Sequence, residues 1–353
     1  MNSSARLARR SSLNSTLGFG EKLFSSARER KFADAIEAGL TRVEVGLLAE
    51  VSFADNLADV TGRYLLEAGG KRVRPTLTLL TSQLGEGVSD SVITAAEVIE
   101  ITHLASLYHD DVMDEANMRR GVPSAQNVWG NSVAILTGDL LFARASKLIS
   151  ALGEQAIKLQ ADTFERLCLG QLHETVGPRE DEDPIEHYLQ VLADKTGSLI
   201  AASAQMGVIF GKAPIEFEQP VLDFGERIGI AFQLIDDVID LSAQTAVTGK
   251  KAGTDLRSGV ATLPLLLLRR DAQTDPDAAA LLVRIERGVA AGGADEEFAE
   301  AVADLREHSV TRRTHDQAHR WSAEAVAALA PLPEGPVKKA LTRFAETVVE
   351  RSS

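Results

Sequence analysis

The sequence predicts an all-α fold, and three observations carry that prediction. Beyond residue 31, Ala, Leu, Glu and Arg dominate, while aromatics make up only 5% of the chain. Gly and Pro fall mostly between long uninterrupted segments, where they act as helix punctuation. No regular alternation of apolar and polar residues marks a sheet, and no short-period repeat appears.

The first 31 residues stand apart. Seven serines lie within Met1–Ser26, and seven basic residues (Arg6, Arg9, Arg10, Lys22, Arg28, Arg30, Lys31) face two acids (Glu21, Glu29). We read 1–28 as a flexible basic tail and 29–353 as one all-α domain; attraction of the tail to an anionic membrane surface is the alternative. Helices are expected at 32–50, 75–84 and 89–120. The last has neither Gly nor Pro and would be roughly 45 Å long at about 1.5 Å per residue. Its upper part, VITAAEVIEITHLASLYH, is apolar nearly all round, the mark of a helix buried inside a bundle. Further helices are expected at 131–151, 154–175, 184–212, 221–241, 261–270, 277–290, 295–307, 312–330 and 334–350. Gly177–Pro184 reads as a charged loop and Gly292–Glu296 as a turn.

Composition excludes several functions. The chain has 353 residues and a net charge of −14, from 37 Lys and Arg against 51 Asp and Glu. A general nucleic-acid binder needs a basic footprint, so none is expected. Cys168 is the single cysteine, which rules out an intramolecular disulfide and a Cys-based zinc site and fits a reducing cytoplasm. No stretch approaches 18 consecutive apolar residues, so stable membrane insertion is not expected. The N-terminus shows no secretory h-region.

Two acidic clusters carry the chemistry. Asp110-Asp111-Val112-Met113-Asp114 and Asp236-Asp237-Val238-Ile239-Asp240 both read Asp-Asp-x-x-Asp. Each closes a very apolar helix. Positions i and i+3 or i+4 share a helix face, so Asp110 projects with Asp114, and Asp237 with Asp240. Such clustering costs stability unless a cation compensates. Hard oxygen ligands suit Mg²⁺, which takes one or two carboxylates and completes its shell with waters and phosphate oxygens. His103 lies two turns before Asp110, and Gln233 one turn before Asp237, each on the same face. The plainer readings are solvated helix ends for the aspartates and a satisfied core role for His103.

Cations gather where an anion would need them. Gly69-Gly70-Lys71-Arg72-Val73-Arg74-Pro75 places three before an apolar helix; Arg119-Arg120-Gly121, Lys195-Thr196-Gly197 and Lys250-Lys251 supply the rest. Arginine gives forked hydrogen bonds to phosphate, and lysine a point charge. Arg72 and Lys251 read as ordinary surface charge.

Together these motifs, with Phe232–Asp240 (FQLIDDVID) and Gly253–Pro264 (GTDLRSGVATLP), resemble the trans-isoprenyl diphosphate synthases, or polyprenyl synthetases, in order and over about residues 30–350. The resemblance implies an isoprenoid synthase-type helical bundle around a deep central cavity, a homodimer, and about three Mg²⁺ ions per site. It implies that Asp110, Asp111, Asp114, Asp236, Asp237 and Asp240 hold Mg²⁺ on an allylic diphosphate such as farnesyl or geranylgeranyl diphosphate. Arg119, Lys195, Thr196, Gln233 and Lys250 match contacts to that diphosphate. Lys71, Arg74, His103 and Arg120 match the isopentenyl diphosphate site. One position departs from the pattern: Val260 stands where many members carry a diphosphate-binding lysine, which would lower allylic affinity unless Lys250 and Lys251 compensate.

The implied reaction ionises the allylic diphosphate, and the double bond of isopentenyl diphosphate attacks the cation. No Ser–His–Asp or Cys–His constellation is needed. Chain length should depend on the residues preceding Asp110. Ala105 and Ser106 are small, and Ile101 and Thr102 are not aromatic; Leu141 and Phe142 are candidate floor residues on the following helix. In this family a bulky aromatic one turn above the cluster stops growth early. The resemblance therefore implies a C35–C50 all-trans product for a menaquinone-type side chain, with transient membrane contact for release. The alternatives are a C15–C20 synthase, a terpene cyclase, or a non-catalytic subunit. A cyclase needs only one diphosphate pocket, and non-catalytic subunits usually lose an Asp cluster.

Overall fold

The computed structural model describes residues 26–242, 252–293 and 296–351. Helices account for nearly all regular structure among them, as the sequence predicts. The described residues divide into two compact units. The first takes the residues up to Glu165 with Leu199–Gly225 and Leu329–Phe344; the second takes Arg166–Ser198, Glu226–Ala328 and the residues from Ala345.

Helix α1 (Ala27–Glu50) begins five residues before the expected start. Ser26 and Glu29 form a reciprocal capping box: the Glu29 N–H donates to Ser26 Oγ at 3.2 Å, and the Ser26 N–H to Glu29 Oε2 at 2.9 Å. The box satisfies two otherwise orphan donors. Helix α2 (Asn56–Glu67), capped by Asp55, was not expected. Helix α3 (Val73–Ser82) follows the basic loop, and α4 (Asp90–Met113) is the buried apolar helix.

The expected helix over 89–120 stops early for a local reason. Glu115 adopts a left-handed φ of 49°, and the Ala116 N–H reaches back to the Asp111 carbonyl at 2.9 Å. This is a Schellman closure with Glu where Gly is usual. A two-stranded hairpin follows, Met118–Arg119 (β1) on Val122–Pro123 (β2). Its turn residues Arg120 and Gly121 both have positive φ, 52° and 78°, as a type I′ turn requires.

The first unit packs around α4. Helix α5 (Ala125–Trp129) leads into α6 (Asn131–Ser150), and α4 is covered by α1, α3 and α6. Tyr108 is fully buried; its hydroxyl donates to the Thr61 carbonyl and accepts from the Leu65 N–H at 3.3 Å, tying α2 to α4. Helix α7 (Glu154–Val176) then leads to α8 (Pro184–Leu192), which Asp183 caps through the N–H groups of Ile185 and Glu186. The expected single helix over 184–212 is broken by a π turn at Ala193–Gly197 before α9 (Ser198–Phe210).

Helix α9 packs closely on α3. Thr78 and Thr81 donate their hydroxyls to the carbonyls of Ser203 and Ala204 at 2.8 Å and 2.7 Å. A Cβ at Gly207 would stand 2.0 Å from Thr81 Oγ1 and 2.2 Å from the Thr78 carbonyl oxygen.

A 3₁₀ turn (Ile215–Phe217) precedes α10 (Glu218–Ser242), which carries the second Asp cluster in its last turns. Then come the short α11 (Thr254–Arg257), α12 (Leu263–Asp271), α13 (Pro276–Ala290), α14 (Glu296–Glu307), α15 (Ser309–Ala328) and α16 (Pro336–Glu350). In the second unit Leu263–Leu268 are all buried, and Phe298 fills the space left by Gly288.

Gly207→Ala should destabilise the protein by about 2–3 kcal/mol, the cost of overpacking where backbone blocks relaxation. Denaturant unfolding followed by circular dichroism measures this.

Candidate active site

The first unit gathers the first Asp cluster and most of the expected cations. Asp110 is half-buried, Asp111 fully buried and Asp114 exposed at the end of α4. The hairpin turns the chain back so that Arg119 Nε donates to Asp111 Oδ1 at 2.6 Å. Burial raises the Asp111 carboxyl above its usual range, and Arg119 opposes the shift. Asp111 Oδ2 is buried without a hydrogen-bond partner.

Two turns back on α4, His103 is held neutral. Burial pushes its pKa well below the usual 6.5, and the field of Arg74, Arg120, Arg119 and Arg72 acts the same way. Arg74 is lowered to about 10 by burial, against the attraction of Glu100 and with the repulsion of Arg120. Its Nε is buried and unbonded. Burial also lowers Arg120, which donates to the Leu65 carbonyl at 2.8 Å. Gly70 makes room for these groups: a Cβ there would stand 2.4 Å from Arg72 Nη1 and 3.1 Å from Arg120 Cζ. Lys71 is exposed on the same loop.

Arg72 corrects the sequence reading. It is not surface charge but 5% exposed. It donates to Glu44 Oε1 at 2.7 Å, Glu100 Oε1 at 3.1 Å and the Leu66 carbonyl at 3.3 Å. Its φ of 52° is left-handed, a conformation that costs a non-glycine residue free energy and persists only when surrounding bonds fix it. Glu100, 3% exposed, was missed; an acid three residues before His103 on an apolar helix was its signal.

The candidate chain-length residues lie along α4 and α6. Ile101, Thr102, Ala105, Ser106 and Leu141 are buried. Thr102 Oγ1 has no partner, and the Ser106 hydroxyl donates to the His103 carbonyl at 2.9 Å. Phe142 is half-buried, its ring 4.4 Å from that of Phe164 and 5.5 Å from that of His109.

The second unit gathers the second Asp cluster. Gln233, Asp236 and Asp240 are half-buried on α10, and Asp237 is 5% exposed. The segment from Gly253 to Leu263 is pinned to this cluster repeatedly. Gly253 N–H donates to the Asp240 carbonyl at 3.0 Å, Asp255 N–H to Asp240 Oδ2 at 3.1 Å, and Leu263 N–H to Asp237 Oδ2 at 3.3 Å. Burial raises the Asp237 carboxyl well above its usual range; the hydrogen bond from Tyr188 opposes this. Val260 lies exposed on the pinned segment.

Lys195 and Thr196 sit on the π turn, a distortion frequent at functional sites. Lys195 Nζ pairs with Glu174 of α7. A Cβ at Gly229 of α10 would stand 2.5 Å from the Gly197 Cα, and one at Gly170 of α7 would stand 2.7 Å from the Lys195 nitrogen. Both glycines let the turn approach neighbouring helices. Arg351, unforeseen, lies over the Phe232 ring at 4.8 Å and pairs with Asp236 at 3.5 Å. Lys250 and Lys251 lie outside the described residues.

These groups suit a hard divalent cation. The clusters offer only oxygen donors, and Asp111 Oδ2 is a buried acceptor with no donor. Among the described residues no three His, Cys, Asp or Glu side chains converge as a closed metal cage.

Two Asp-rich helix ends and a cluster of guanidinium groups are the residue types that a metal-assisted diphosphate enzyme uses. The polyprenyl synthetase family model matches residues 56–303. Nonaprenyl diphosphate synthase of Mycobacterium tuberculosis is 43% identical over 321 residues, 91% of this chain and 94% of that one. A decaprenyl diphosphate synthase structure from Rhodobacter capsulatus superposes with a TM-score of 0.80 at 31% identity, covering 92% of this chain and 99% of that one. Geranylgeranyl pyrophosphate synthase of Corynebacterium glutamicum, solved with calcium and isoprenyl diphosphate, gives 0.80 at 40%, covering 93% and 99%. The chain belongs to the polyprenyl synthetase family and is a prenyltransferase.

The state of His103 sets a pH dependence. Unfolded, its imidazole takes a proton as pH falls through 6.5; folded, it resists. The unfolded state therefore binds more protons below that pH, and stability is lost there. Wild-type unfolding free energy should fall by about 1 kcal/mol more than that of His103→Gln between pH 6.5 and 5.5, read from denaturant titrations.

Proposed function

We propose that this chain is a Mg²⁺-dependent trans-polyprenyl diphosphate synthase. It adds isopentenyl diphosphate head-to-tail to an allylic diphosphate such as farnesyl or geranylgeranyl diphosphate and makes a long product of about C35–C50. The observation that carries the chemistry is the buried cation group of the first unit. Arg72 is neutralised by Glu44 and Glu100, whereas Arg74 and Arg120 repel each other and His103 is forced neutral. Buried like charges of this kind are relieved by an anion, and a diphosphate offers both charge and acceptors.

Asp110, Asp111, Asp114, Asp236, Asp237 and Asp240 are the residues that would hold Mg²⁺ for the allylic diphosphate. The metal, when bound, neutralises the departing diphosphate. Arg119, Lys195, Thr196 and Gln233 add hydrogen bonds to the same group. Lys71, Arg74, His103 and Arg120 orient isopentenyl diphosphate; neutral His103 keeps one ring nitrogen as a donor. The apolar walls of α4 and α6 keep water from the allylic cation. No side chain need take the proton lost after attack, because the released diphosphate is a sufficient base.

The long product is supported by the small Ala105 and Ser106 and the non-aromatic Ile101 and Thr102 on α4, and by the nonaprenyl and decaprenyl relatives. The geranylgeranyl relative favours a C20 product. A menaquinone-type side chain as destination, a homodimer, a cytoplasmic location and transient membrane contact for product release belong to the same proposal. No described helix is long and apolar enough to cross a membrane.

Purified protein given Mg²⁺, isopentenyl diphosphate and farnesyl diphosphate should yield a C35–C50 product by mass spectrometry; termination at C20 would establish the shorter reading. Asp110→Ala should lower kcat at least a hundredfold with an unchanged melting temperature. Ala105→Phe should shorten the product to C15–C20; an unchanged product would show that the chain grows along another path.

A further inference from the structure

The second Asp cluster is held by a residue outside every motif identified above. Tyr188 of α8 donates its hydroxyl to both carboxylate oxygens of Asp237, at 3.0 Å and 2.8 Å. The Leu263 N–H, at the start of α12, donates to Asp237 Oδ2 at 3.3 Å. A carboxylate has about four lone-pair positions; two hydrogens reach Asp237, the Tyr188 proton shared between both oxygens and the Leu263 N–H. Both donors are neutral, and Asp237 is buried. Asp237 thus joins α8 and the head of α12 to α10 and keeps lone pairs for a metal. Asp236 and Asp240 flank it in the same turns. They are four residues apart, share a helix face, and are more open to ligand than Asp237.

We propose that Tyr188 is a positioning residue for the metal-binding face of α10. By fixing Asp237, its hydroxyl sets the orientation of the last turns of the helix, from which Asp236, Asp237 and Asp240 would hold Mg²⁺ for the allylic diphosphate. The role rests on the synthase reading above, but its test does not require turnover. Tyr188→Phe keeps the ring and its volume and removes only the donor.

The test is a Mn²⁺ titration followed by electron paramagnetic resonance, with inorganic pyrophosphate present, on wild type, Tyr188→Phe, Asp237→Asn and the double variant. Thermal melting of each is recorded alongside. Losing a hydrogen bond to a buried carboxylate should weaken Mn²⁺ binding about tenfold in Tyr188→Phe, or ~1.4 kcal/mol. Because Tyr188 acts through Asp237, adding Tyr188→Phe to Asp237→Asn should change binding less than twofold. In turnover, KM for farnesyl diphosphate should rise and KM for isopentenyl diphosphate should stay within twofold. Unchanged Mn²⁺ binding in Tyr188→Phe would overturn the proposal. So would a second tenfold loss on the Asp237→Asn background, which would mark a general structural role. If Tyr188→Phe melts below the assay temperature, its titration is run below its melting point, where the same two outcomes decide. A wild-type protein that shows the Mn²⁺ pattern but does not consume isopentenyl diphosphate would retain the role of Tyr188 and remove the synthase reading.

Discussion

Glu100 stands inside the first unit at 3% exposure, bonded to Arg72 at 3.1 Å and within the fields of Arg74 and Arg120. The basic loop, α4 and the hairpin all converge on this one carboxylate. Removing one partner of a buried ion pair leaves the other charge uncompensated, at a cost of about 3–5 kcal/mol. Glu100 therefore lets Arg72 be buried and Arg74 and Arg120 be held half-buried beside it. It does not neutralise all of them, and under the proposed function that surplus would receive a diphosphate without a large reorganisation.

The second unit solves a different problem. Its aspartates end a helix, and a helix end frays unless its last groups are bonded. The segment from Gly253 to Leu263 supplies those bonds, meeting Asp240 at backbone and side chain and Asp237 at the side chain. The π turn carrying Lys195 is brought against α10 by Gly197 and Gly229, where a single Cβ would collide with backbone. Backbone contacts of this kind hold position more firmly than side-chain packing, because neither partner has a rotamer to change.

Much of this was legible in the residues. The apolar circumference of α4 announced its burial. What was hidden had local physical causes. The helix end at Met113 carries Glu115 where a glycine would have signalled a left-handed turn. The π turn at Ala193–Gly197 leaves no mark in composition, since it changes the hydrogen-bond step and not the residue types. Arg72 looked like surface charge because nothing nearby in sequence reveals Glu44 and Glu100, each 28 residues away. Tyr188 and Arg351 meet Asp237 and Asp236 only through the fold.

The contact between Arg72 and Glu44 sets a practical limit on how the gene can be trimmed. Glu44 belongs to α1, upstream of the region shared with the family model, which starts at residue 56. An expression fragment cut to that homology boundary would retain every aspartate and arginine of the motifs yet leave the buried Arg72 with Glu100 as its one remaining carboxylate partner. A fragment that keeps the contact must retain α1, whose capping box begins at Ser26.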